Sequence, residues 1–190
     1  MQEKRIPGTV LTVGDMQGGM FSRLRPMIEL TDGLSLSQVC AVTGLEPHDV
    51  QNWVKRGFVA HPVGKKYRAR QVARILLISS LRECMRIEQV GALLQHVNGN
   101  ADDREDDIIS EEQLYDYLCE VVRQLDSDWI SAAEVPALIA RVTDAYKAPD
   151  EGARHRLTAA LQVMVCAYMS GRLKREAERH FEALQTMGKE

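Results

Sequence analysis

The chain has 190 residues, 45% of them apolar, and a formal net charge of -3. That is enough apolar material for a real core in one large or two small units, and it excludes a disordered chain. No apolar run is long enough to span a bilayer, residues 1–7 are charged rather than leader-like, and Cys40, Cys84, Cys119 and Cys166 lie far apart as reduced thiols would, so the expected location is the cytoplasm.

Residues 1–33 carry Pro7, Gly8, Gly14, Gly18, Gly19, Pro26 and Gly33, which predicts an arm with one short helix, docked through Phe21, Leu24, Met27, Ile28 and Leu30. Ser35 is a suitable N-cap for a helix carrying Leu36, Val39, Cys40 and Val42, and Gly44 stops it. Pro47 and Asp49 suit the first turn of a second helix with Val50, Trp53 and Val54 inward, ended by Gly57. Residues 58–59 and 67–68 flank Pro62-Val63-Gly64, which predicts an antiparallel hairpin with a basic tip. A strongly apolar helix from Arg70 to Leu81 follows, then a shorter one from Ile87 to Val97, ended by Asn98-Gly99.

Residues 100–109 read as an acidic linker and the natural domain boundary. Ser110 caps the first of three amphipathic helices, striped by Leu114, Leu118, Val121, Val122 and Leu125. The second carries Val135, Leu138, Ile139, Val142 and Tyr146, and the long third Leu157, Leu161, Met164, Val165, Tyr168, Leu173, Phe181 and Leu184. The predicted fold is mainly α: a winged helix-turn-helix over 34–99 with a short β-hairpin wing, followed by a C-terminal helical bundle over 110–190.

The small net charge conceals opposed segments. Residues 45–74 hold seven basic side chains against two acidic ones, a net of +5, whereas 97–134 hold two against twelve, a net of -10. The helix over 47–56 exposes His48, Gln51, Asn52 and Lys55, whose donors and acceptors suit base edges in a major groove; Gln and Asn can pair bidentately with adenine. Taken alone, such residues more often form a solvated helix face. The adjoining Arg56, Lys65, Lys66, Arg68 and Arg70 change that weighting, since cations at a hairpin tip reach phosphates beside the groove. Trp53, three residues from Val50, belongs to the inner face. The acidic run over 102–107 lacks the alternating ligands and central Gly of a calcium loop, so no metal or other cofactor is expected. The five histidines are scattered, with no recognisable nucleophile context or phosphate-binding Gly loop, which argues against catalysis.

The order of helix, Gly turn, helix, wing with Lys66-Tyr67-Arg68, apolar helix and Arg86-Ile87-Glu88-Gln89-Val90 helix resembles the MerR-type winged helix-turn-helix of bacterial regulators over about 60 residues. The resemblance implies that the second helix enters the major groove and that Tyr67 and Arg68 help place the wing on the DNA backbone. Gln51-Asn52-Trp53-Val54 departs from the Arg-Tyr-Tyr-Glu type of run usual there. A wider likeness, carried by Gln51-Asn52-Trp53-Val54-Lys55-Arg56-Gly57, Pro62-Val63-Gly64-Lys65-Lys66-Tyr67, Asp106-Asp107-Ile108-Ile109-Ser110 and Leu114-Tyr115-Asp116-Tyr117, is to an uncharacterised bacterial family with a MerR-like domain. The expectation is a non-catalytic regulator that binds double-stranded DNA, whose C-terminal helices either pair with those of a second copy in a homodimer or bury one another as a monomeric bundle around an effector; the alternative is a protein-interaction module whose winged helix no longer binds DNA.

Overall fold

Capping residues mark several of the element boundaries. The computed structural model describes residues 6–11, 19–98, 107–125 and 133–187; Gly14, Gly18, Gly99 and the acidic positions 102–106 lie outside them. The described chain is mainly helical, with α1 (Met20–Leu30), β1 (Leu34–Ser35), α2 (Leu36–Thr43), α3 (Pro47–Lys55), β2 (Lys66–Tyr67), α4 (Ala69–Leu81), α5 (Ile87–Asn98), α6 (Glu111–Gln124), α7 (Glu134–Val142) and α8 (Ala153–Met187). No helix among these residues is long and apolar enough to cross a membrane.

Ser35 caps α2 in a reciprocal box with Gln38, and Gly44 closes it in the left-handed region at φ 70°, where a side chain would be strained. Pro47 occupies the first turn of α3, and Ser110 Oγ accepts the Gln113 N–H at the start of α6. The arm docks through fewer residues than its composition suggests. Met20, Phe21 and Ile28 are buried, whereas Met27 and Leu30 face solvent. Asp116 of α6 accepts the Phe21 N–H at 2.6 Å, satisfying an orphan donor of α1. Behind it, Phe21 meets the Tyr115 ring edge-on at 6.3 Å, and the Tyr115 hydroxyl donates to the Pro7 carbonyl at 2.6 Å.

The sheet differs from the expected hairpin. β2 pairs antiparallel with β1, Leu34 opposite Tyr67 and Ser35 opposite Lys66, instead of with residues 58–59. The N–H groups of Phe58 and Val59 both donate to the Trp53 carbonyl, at 2.9 and 3.3 Å, so closing α3 uses the donors that a strand would have needed.

α4 is central, packing against α1, α2, α5, α6 and α8, and its Ala73, Ile75, Leu76, Leu77, Ile78 and Leu81 are fully buried. A helix that is apolar on every side must be covered on every side. For that reason the expected boundary at 100–109 does not divide the core. α6 supplies the missing cover, and buried residues from both sides of the junction form one hydrophobic cluster. Residues 107–109 are packed rather than solvated: Ile108 and Ile109 are buried, the Ile108 N–H donates to the Val97 carbonyl at 3.2 Å, and the Tyr146 hydroxyl donates to the Ile108 carbonyl at 2.7 Å.

The long C-terminal helix outruns its support. At 1.5 Å per residue the 35 residues of α8 extend about 52 Å, against about 21 Å for the 14-residue α6. Leu157, Leu161, Met164, Val165, Tyr168 and Met169 are buried, but Leu173, Phe181 and Leu184, expected in the same stripe, are exposed because the helix has passed the end of the core.

Candidate nucleic-acid interface

α3 turns Val50, Trp53 and Val54 into the core and leaves His48, Gln51, Asn52 and Lys55 exposed along its outer face. These four candidate readers therefore share one accessible surface, as i, i+3, i+4 and i+7 spacing requires. Trp53 is a core residue.

Beside α3 the chain makes a tight two-residue turn. The Val63 and Lys66 backbones exchange N–H to C=O bonds at 3.0 Å in both directions, and between them Gly64 and Lys65 have φ of 58° and 64°. Two successive positive φ values are the signature of a type I′ hairpin turn, which places Lys65 at the tip. Lysine is uncommon in that conformation, which Gly, Asn or Asp adopts at lower cost. Between the tip and α3 lies an open groove of about 610 Å³ lined by Leu36, Gln51, Val54, Lys55, His61, Pro62, Lys65 and Tyr67.

The cationic candidates have separate fates. Lys55 and Lys65 are exposed and have no acidic partner among the described residues. Lys66 donates through Nζ to the Thr31 carbonyl, and Arg68 sits 3.3 Å from Asp32. The Arg56 guanidinium lies 4.9 Å from the centroid of the Phe58 ring and 2.6 Å from Glu88; its hydrogen bond holds the Glu88 carboxyl below the usual range. Arg70 does not fit the expected role as a backbone contact. It is largely buried and paired with Asp107 at 3.1 Å, because the junction returns over α4 at that point. Tyr67 is also corrected: its side chain is buried in the wall of the groove rather than free to reach a backbone, and burial pushes its phenol up.

Two buried polar residues of α4, overlooked among its apolar neighbours, fix the geometry of the groove. The Gln71 side-chain amide donates to the carbonyls of Ala60 and His61, at 3.1 and 2.6 Å, while its oxygen accepts the Arg68 N–H at 2.8 Å. Arg74 donates through Nε to the Phe58 carbonyl at 2.6 Å and through Nη1 to Glu111 at 2.5 Å. Both span the segment that joins α3 to the turn. Burial pushes the Glu111 carboxyl up, against the pull of Arg74 and Arg70. In sequence, Arg74 counts as one of the seven basic side chains of residues 45–74. The signal against that reading is its place between Val72-Ala73 and Ile75-Leu76, where any polar group must be partnered.

Residues 29–118 match the model of a domain of unknown function, DUF1836. That match runs from the end of α1 into α6, across the acidic junction. The chain is also similar to the uncharacterized protein YkrK of Bacillus subtilis (strain 168), 27% identical over an alignment of 118 residues that covers 58% of this chain and 51% of that protein. The chain thus spans about half the length of this curated relative. No solved structure matches.

Proposed function

We propose that this chain is a non-catalytic, cytoplasmic transcriptional regulator that binds double-stranded DNA sequence-specifically through a MerR-like winged helix-turn-helix. One observation carries the reading: Gln51 and Lys55 of α3 face Lys65 of the turn across one open groove. In this reading α3 enters the major groove, His48, Gln51, Asn52 and Lys55 meet base edges, and Lys65 at the tip takes a flanking phosphate. A lysine at a left-handed position, where glycine would be less strained, favours a contact made by its side chain. Arg56, Lys66 and Arg68 would exchange their present partners for phosphate.

The exposed Leu173, Phe181 and Leu184 on the projecting part of α8 support a homodimer. Self-pairing there would set two copies of α3 on successive turns of DNA, about 34 Å apart. The alternative reading, a protein-interaction module, draws support from Asp32 and Glu88, which neutralise two of the candidate phosphate contacts.

The deciding experiment is selection of bound fragments from the host genome, followed by affinity against salt for the wild type and for Lys55→Ala with Lys65→Ala. An enriched motif, with a log–log salt slope lowered by about one in the double variant because only Lys65 takes a phosphate in this reading, is the expected result. No motif, or an unchanged slope, favours the interaction module.

A further inference from the structure

The groove between α3 and the turn has a chemistry that phosphate contacts leave unused. Leu36, Val54, Pro62 and Tyr67 give it an apolar lining, to which the exposed Lys55, Lys65 and His61 add polar groups. A DNA backbone calls on the cations and not on the apolar lining. The volume of about 610 Å³ falls within the roughly 300–1,000 Å³ typical of small-molecule sites, which combine an apolar lining with a few convergent polar groups. Lys55 and Lys65 have no acidic partner among the described residues, so an anion entering between them displaces no existing pair. We propose that this groove binds a small amphipathic anion, an apolar body bearing one carboxylate, with the carboxylate between Lys55 and Lys65 and the body over Val54, Leu36 and Tyr67. The same two lysines serve DNA in the function proposed above, so the anion and the duplex exclude one another; this exclusion rests on that reading, whereas binding of the anion does not.

The test titrates the full-length protein by calorimetry with monomeric decanoate, and with decanol as a neutral ligand of the same body. Decanoate is expected to bind one per chain and about tenfold more tightly than decanol. Lys55→Ala with Lys65→Ala should remove that preference and leave decanol binding unchanged, while Leu36→Asn should weaken both ligands. Saturating duplex DNA should weaken decanoate binding at least tenfold. Absence of saturable binding, equal affinity for the two ligands, or indifference to both lysines overturns the site. Loss of decanoate binding in Phe181→Glu instead of the lysine variant also overturns it, since the ligand would then sit on the exposed stripe of α8. Simultaneous binding of decanoate and duplex at undiminished affinity overturns the exclusion. Failure of any duplex to bind falls on the DNA reading alone, and the decanoate titrations still decide the groove.

Discussion

Replacing Glu111 by Leu removes one half of a buried ion pair and leaves the other in place. The Arg74 and Glu111 side chains are 6% and 0% exposed, and they meet at 2.5 Å. Without Glu111 the Arg74 cation keeps, among the described residues, the Phe58 carbonyl. Stranding a buried charge in this way costs about 3–5 kcal/mol, far above the roughly 0–1 kcal/mol of an exposed pair such as Arg25–Glu29. With a urea m-value of about 2 kcal/mol/M, the unfolding midpoint should fall by about 2 M. Glu111→Gln, which keeps an acceptor for Arg74, should cost much less. Because burial raises the Glu111 carboxyl in the folded state, the stability tied to its protonated form is complete below the unfolded carboxyl range and is lost as pH rises through the higher folded value. The Gln deficit should therefore narrow with rising pH. Urea titrations of the three proteins across the acid range measure each of these. A Leu variant within 1 kcal/mol of wild type, or a Gln deficit that widens with pH, would refute the account of this pair.

Three further outcomes follow from particular contacts. Asn52→Ala should cost on the order of 1–3 kcal/mol on the preferred duplex and little on others; equal loss on all sequences in a binding assay would remove it as a reader. Lys65→Asn should raise thermal stability slightly, by up to about 1 kcal/mol from relieved left-handed strain, yet weaken DNA binding, and a variant that improves both would separate the strain from the contact. Gly44→Ala should cost roughly 1–2 kcal/mol in denaturant unfolding, since a Cβ there meets the Val10 side chain at 2.5 Å on a backbone already at φ 70°.

The elements that announce themselves locally were legible in the sequence. Ser35, Gly44, Pro47 and Ser110 mark ends with capping chemistry that needs no knowledge of the rest of the chain, and Val50, Trp53 and Val54 declare the inner face of α3 by spacing alone. What depends on distant partners was not. The strand partner of residues 66–67 is a segment thirty residues earlier, and nothing near Leu34 signals it. Arg70 and Arg74 carry the same formal charge as Lys65, and only the return of the junction and α6 over α4 turns Arg70 from a candidate DNA contact, and Arg74 from one more positive charge, into buried supports. Charge counting along the chain could not distinguish a cation facing solvent from one facing a carboxylate.

The single core shared by α4 and α6 bears on how the chain can be taken apart. A fragment ending at residue 99 would lack Glu111, Asp107 and the apolar stripe of α6, so it would expose the side of α4 that α6 packs against and leave Arg70 and Arg74 without their carboxylate partners. Truncation would then abolish binding by unfolding α3's own scaffold, whatever α3 contacts. Point substitutions on an intact chain separate recognition from folding; deletion does not.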